Sequence, residues 1–182
     1  KNTLDIIASS GLNDFIEGGF YRYTVDNEWK IPHFEKMLYD QAQMISLFSM
    51  AYKVYGDPLY KDIVDKTIAF LNLKMSSNND LYYAAMDADT DGEEGKYYSF
   101  TKDELEIISK NTDFSVFTNY YNIDINKPWD NNRFLLLPNK ANNELNDLIQ
   151  IWESNIIKLK EERTKPRIDD KIIVSWNSLA IV

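Results

Sequence analysis

The chain has 182 residues, carries 20 Lys and Arg against 29 Asp and Glu for a net charge of −9, and contains no cysteine. Its length fits one domain or a large piece of one, and a hydrophobic content of 44% is enough for a core. The acidic balance disfavours nucleic acid, whose phosphates call for a basic patch, and the missing thiols exclude disulfides, thiolate metal sites and thiol catalysis within these residues.

In chain order, residues 3–10 read as a short helix ended by Gly11. A glycine-started aromatic loop follows from Gly18 and feeds a long helix over 33–55, with Pro32 in its first turn, where a missing N–H is harmless, and Gly56 at its end. Asp57-Pro58 is an N-cap followed by a first-turn proline and opens a helix running to about Met75. Residues 76–80 are a turn. Leu81 to Ala85 and Lys96 to Phe100 are strand-like and flank Asp87 to Gly95, which predicts a β-hairpin. Thr101 and Glu104 form a capping box for a helix over 102–110. Phe114 to Tyr121 is a second short helix, 122–138 is irregular, and Asn143 to Arg163 is a long amphipathic helix. Lys165 to Asp170 is a loop leading into a last helix that carries Lys171, Trp176 and Asn177.

The densest chemistry lies in residues 18–42, which hold Arg22, Asp26, Trp29, the only histidine (His33), Glu35, Lys36, Tyr39 and Asp40. At 100° per residue from His33, Phe34, Leu38, Gln41, Ile45, Phe48 and Tyr52 fall on one side of a helix, a packing face. His33, Lys36, Met37, Asp40 and Met44 cluster on an adjoining face, and Glu35 and Tyr39 share a third. Lys36 and Asp40 alone could be an i,i+4 surface pair. The aromatic loop, the histidine and two more carboxylates at the same helix start point instead to a site. A weak repeat aligns Phe20 to Asp26 with Leu81 to Asp87, one helical hairpin apart, and Asp169-Asp170-Lys171 echoes the 33–36 segment. Stacked helical hairpins with their polar groups on one rim would close into an α/α toroid with a central cleft.

Three blocks carry a resemblance. Gly18-Gly19-Phe20, Arg22-Tyr23, Val25-Asp26, Trp29 and Pro32 to Ala42 form the first. Asp87-Ala88-Asp89 with Asp91 to Tyr98 forms the second, and Arg167, Asp169-Asp170-Lys171, Ser175-Trp176-Asn177 and Leu179 the third. Together they resemble the thioredoxin-domain-containing protein family that includes spermatogenesis-associated protein 20. The resemblance implies an N-terminal thioredoxin-like domain followed by a six-hairpin glycosidase-like toroid, similar to N-acylglucosamine 2-epimerases. On that basis residues 1–182 are expected to be a single, mainly α domain. It would be the first half of the (α/α)6 toroid, with a small β-hairpin insertion, lacking the thioredoxin-like domain and the second half. The chain departs from the family at Ile168, where relatives often have His, and at Ser178, where they often have Gly.

The first functional expectation is a carbohydrate-active enzyme, epimerase- or glycosidase-like. His33, Asp40, Asp87 and Asp89 are its candidate acids and bases. Arg22, Asp26, Trp29, Glu35, Lys36, Tyr39, Asp170, Lys171 and Trp176 are its candidate sugar-binding groups. The second expectation is a non-catalytic scaffold module that partners the thioredoxin-like domain of the same full-length chain, with Lys36–Asp40 and Asp170–Lys171 as buried ion pairs. No cofactor and no metal are expected, because Asp87, Asp89, Asp91, Glu93 and Glu94 lack EF-hand spacing. No apolar run approaches the roughly 20 residues of a membrane span. No leader is visible, and a cytoplasmic setting is expected. Both ends read as cut from something longer, and the exposed edges of a half-toroid call for either self-association or the remainder of the chain to cover them.

Overall fold

The computed structural model describes residues 1–139 and 145–181; the expected start of the long amphipathic helix at Asn143 and the final Val182 lie outside them. In chain order the elements are α1 (Asn2–Ser9), β1 (Tyr23–Thr24), β2 (Pro32–His33), β3 (Lys36–Met37), α2 (Leu38–Tyr55) and α3 (Pro58–Phe70), which runs into a π-helical turn over Leu71–Met75. They continue with β4 (Ala85–Met86), β5 (Asp89–Thr90), β6 (Glu93–Glu94), β7 (Phe100–Thr101), α4 (Lys102–Ile108), α5 (Phe114–Tyr120), β8 (Arg133–Phe134), α6 (Asn146–Glu161), β9 (Ile168–Asp169) and α7 (Val174–Ala180).

This composition corrects the expected mainly α half-toroid. Among the described residues the helices are accompanied by nine two-residue strands in four small sheets, ordered β1-β2, β3-β4-β9, β5-β6 and β7-β8, so the fold is mixed α/β. The correction begins at 33–37. These residues are extended rather than helical, because Tyr23 and Thr24 pair with His33 and Pro32, and Lys36 and Met37 pair with Met86 and Ala85. Pro32 therefore occupies a short strand rather than a first helical turn. The expected 81–100 hairpin is also different: Asp89 pairs with Glu94 around a tight Asp91-Gly92 turn, and Phe100 pairs with Phe134. Strands of two residues are too short to show a period-2 signal.

The chain divides into two compact units, residues 1–94 with 166–182, and residues 95–165. In the first, α2 is the organising element. Phe48 and Ala51 on its later turns pack with Ala8, Phe20, Tyr60 and Ile63, and Leu38 on its first turn packs with Phe70, Leu71, Met75 and Met86. Between these two cores the buried Gln41 amide donates to the Phe20 carbonyl at 2.8 Å and accepts from the Phe20 N–H at 2.7 Å, so a side chain completes the backbone bonding of the aromatic loop. Gly56 ends α2 at φ 66°, and the Asp57 side chain caps α3 by accepting from Leu59 N–H, both as the sequence predicts. The buried Asn177 of α7 clamps Tyr82 in the same way, accepting from its N–H at 2.8 Å and donating to its carbonyl at 3.0 Å.

In the second unit the expected capping box is present. Glu104 N–H donates to Thr101 Oγ1, and Thr101 N–H donates to Glu104 Oε2. Trp152 of α6 is fully buried, T-shaped against Phe117 at 5.2 Å, with its indole N–H donating to Thr112. Arg133 and Arg163 both donate to backbone carbonyls of the 96–99 segment and both pair with Glu104.

Candidate functional site

The three-stranded sheet of the first unit makes a cleft by strand alternation. Successive side chains on a strand point to opposite faces. With Met37 paired to Ala85 and Ala85 to Asp169, these three share one face, whereas Lys36, Met86 and Ile168 share the other. The second face is the packed one, where Met86 and Ile168 join the Leu38–Phe70 core. The first face is open. Glu35, Met37, Ala85, Asp87, Arg167, Asp169 and Lys171 line a cleft of about 280 Å³ over it. Extending the register by one pair puts Glu35, Asp87 and Arg167 in a single row across the three strands, and the Asp87 N–H donates to the Arg167 carbonyl at 2.8 Å. Directly opposed residues in such rows have Cβ atoms about 4.5–5.5 Å apart, so these charges are neighbours.

Glu35 joins the cleft to the residues of the aromatic loop. Its carboxylate accepts from Arg22 at 2.9 Å and lies 3.6 Å from His33 Nε2. His33 Nδ1 in turn lies 2.6 Å from Glu94 on the acidic hairpin, and its ring stacks on Tyr23 at 4.9 Å. The side chains of Tyr39 and Glu35 push the Arg22 guanidinium above its ordinary value by hydrogen bonding and by charge. Asp40 stands in the first turn of α2, where the helix dipole favours a carboxylate. Burial nevertheless pushes it up to about 6, with the Glu35 charge adding to the effect and Arg22 opposing it. Its Oδ2 is buried and makes no hydrogen bond among the described residues. Tyr39 beside it is T-shaped against Trp176 of α7, ring centres 4.8 Å apart.

Of the expected site residues, Glu35, Asp87 and Lys171 line the cleft, Arg22 and His33 join it through Glu35, Asp40 feels the Glu35 charge, and Trp176 packs on Tyr39 next to Asp40; the others are not brought to it. Lys36 is fully buried on the packed face, 2.7 Å from Asp14 and 2.8 Å from the Gly18 carbonyl, which takes it out of both the cleft and the expected pair with Asp40. Asp26 organises its own loop by accepting from the N–H groups of Glu28, Lys30 and Ile31. Burial raises that carboxyl, and the three N–H groups outweigh it and leave it below its ordinary range. Trp29 belongs to this loop, at φ 60°, and its carbonyl accepts from Gly11 N–H at 2.8 Å. Asp89 and Asp170 are exposed and do not line the cleft. In place of the expected Asp170–Lys171 pair, Lys171 holds Asp169 at 2.8 Å, and hydrogen bonding from Lys171 keeps Asp169 below the ordinary carboxylate range. Sequence reasoning did not select Arg167 and Asp169 as site residues. The two-residue spacing Arg167, Asp169, Lys171 was the available signal, hidden by the reading of 165–170 as a loop.

The chain is similar in sequence to spermatogenesis-associated protein 20. It is 28% identical to that protein from Mus musculus over 215 aligned residues, which cover 99% of this chain and 27% of the relative. To the Homo sapiens protein it is 38% identical over 111 residues, covering 58% of this chain and 14% of the relative. It is also 28% identical to an uncharacterized protein of Caenorhabditis elegans, over 100% of this chain and 30% of that protein. The chain therefore spans less than a third of the length of the curated relatives it matches. No family model matches it. Among the described residues no helix is long and apolar enough to cross a membrane, and no group of three or more His, Cys, Asp and Glu is arranged to hold a metal ion.

Proposed function

We propose that the sheet-lined cleft binds a carbohydrate and carries out acid–base chemistry on it. The observation that carries this reading is the pair formed by Asp40 and Glu35. One carboxyl is pushed up to about 6 by burial and so carries its proton in mildly acidic solution, well above the ordinary carboxylate range; its neighbour is ion-paired to Arg22. Two carboxyls whose environments separate their protonation states supply an acid and a base at one site. In this reading Asp40 gives a proton to a sugar oxygen, and Glu35, with Asp87 beside it in the row, takes one from water or from the sugar. His33 orients Glu35, and the Tyr39–Trp176 pair offers an aromatic wall for a sugar face.

The test is a thermal-shift screen of the full-length natural protein against neutral sugars, uronic acids and sugar phosphates, followed by NMR of any stabilising sugar for turnover. A ligand present at 100 times its Kd raises stability by about 2.7 kcal/mol. The expected result is a shift with one sugar class and turnover that falls about a hundredfold or more in Asp40→Asn, the usual scale for a general acid. Binding without turnover would overturn the catalytic reading.

The second reading is a non-catalytic module that partners a thioredoxin-like domain in the longer protein. Its support is the pairing of Glu35 with Arg22, Asp14 with Lys36 and Asp169 with Lys171, which fixes charges for structure rather than leaving them for substrate. An absence of any sugar-dependent shift would favour this reading.

A further inference from the structure

The cations around the cleft are unequal. Arg22 is engaged by Glu35 at 2.9 Å, and Lys171 by both oxygens of Asp169, at 2.9 and 2.8 Å. Arg167 differs. It lines the cleft and its side chain is exposed, yet its guanidinium makes no hydrogen bond or ion pair among the described residues. Its backbone is nonetheless fixed: the carbonyl accepts from Asp87 N–H at 2.8 Å, and the next two residues form β9. A guanidinium at the start of a paired strand, lining a cleft and making no hydrogen bond among the described residues, offers its planar fork to a two-oxygen acceptor.

Resting on the carbohydrate reading, we propose that Arg167 anchors a carboxylate of the substrate, so that the sugar is a uronic acid or another acidic sugar bearing one carboxylate. The charge of the cleft selects this acceptor over phosphate. Glu35, Asp87 and Asp169 line the same cleft; Glu35 is engaged by Arg22 and Asp169 by Lys171, whereas Arg167, though its charge reaches Asp169, makes no hydrogen bond or ion pair among the described residues. A monoanionic carboxylate is matched one-to-one by that guanidinium, with two parallel N–H···O bonds. A phosphate dianion would bring a second charge up against three carboxylates, and like charges at this range repel.

The test is calorimetric titration of the full-length natural protein and of Arg167→Gln and Arg167→Lys with D-glucuronate, D-glucose, glucose 6-phosphate and the sugar-free hydroxy acid lactate. The expected result is binding of glucuronate in preference to the other three. Its Kd rises about tenfold or more in Arg167→Gln, since a charged hydrogen-bonding pair is lost, and less in Arg167→Lys. Unfolding midpoints close to the parent's in both variants exclude a folding defect. Glucose and glucuronate binding equally, with no effect of Arg167→Gln, would overturn the anchor and leave the carbohydrate reading standing. Lactate binding as well as glucuronate and weakened by Arg167→Gln would support the anchor and overturn the carbohydrate reading. A preference for glucose 6-phosphate would overturn the carboxylate assignment, and no binding of any probe would overturn both.

Discussion

The Lys36 ammonium lies 2.7 Å from Asp14 Oδ2 and fully out of solvent, with the rings of Tyr21 and Phe70 centred 4.9 and 4.3 Å from it. An ion pair with so little water is sustained only while both partners are present, since either charge left alone in that space is poorly solvated. Lys36→Ala is expected to lower stability by about 3–5 kcal/mol in denaturant unfolding. The double variant Lys36→Met with Asp14→Leu, which removes both charges and keeps volume, should recover most of the loss. Equal loss in the single and double variants would show that packing rather than charge governs the position.

Asp40 makes stability depend on pH in an unusual direction for a carboxyl. Its folded-state value is raised from 3.8 to about 6, so between these values the folded chain binds more protons than the unfolded chain. Its contribution to stability is complete below pH 4 and is lost as pH rises through 6. Asp40→Asn should therefore be more stable than the parent at pH 7.5, by about 1 kcal/mol once solvent screening of a half-buried group is allowed for, and the two should converge near pH 4. Thermal unfolding of both proteins across that range measures the difference; a gap that does not change with pH would remove the buried-acid description.

Glu104 behaves oppositely. Burial raises its carboxyl, but the Thr101 N–H, Arg163 and Arg133 outweigh burial and leave it below the ordinary glutamate range. Its contribution is present above the unfolded-state value and is lost as pH falls below it. Glu104→Ala removes half of the capping box and both arginine pairs, and should destabilise residues 95–165 by about 2–4 kcal/mol. Hydrogen exchange at the amides of α4 and α6 reads this loss, which should shrink in acid.

Gly18 and Gly56 separate backbone strain from crowding. Both have positive φ, at 81° and 66°. A Cβ on Gly56 would meet nothing within 4 Å, whereas one on Gly18 would stand 2.3 Å from the Lys66 carbonyl oxygen. Gly56→Ala should lower stability by about 1 kcal/mol from conformation alone, and Gly18→Ala by about 2–4 kcal/mol, because the chain must also move apart. Similar losses at both sites, measured by urea unfolding, would contradict the crowding at Gly18.

What the sequence made legible was local in cause. The Asp57 cap, the Gly56 stop and the Thr101–Glu104 capping box depend on groups within four residues, and all three are present in the structure. The sheet under the cleft depends on β3, β4 and β9 meeting from distant parts of the chain, two residues at a time, and no local pattern announces it. Reading 33–37 as helix therefore placed Lys36 beside Asp40, when strand alternation turns Lys36 inward and leaves Glu35 on the open face. Glu35, Asp87 and Lys171 were found because charged residues near glycines and aromatics stand out in any conformation. Arg167 and Asp169 were not, because their importance comes only from the neighbours that pairing gives them.

The cleft is also a matter of timing. Its floor is β3-β4-β9, and the whole of residues 95–165 is threaded between β6 and the last of these strands. On a ribosome, β4 emerges early and acquires its second neighbour only after all of those residues have been synthesised. Until then one side of β4 presents unpaired N–H and C=O groups, the kind of edge that recruits other chains. A nascent chain stalled anywhere between 95 and 165 would carry Glu35 and Asp87 without Arg167. It would be both unable to assemble the pocket and the species most in need of a chaperone.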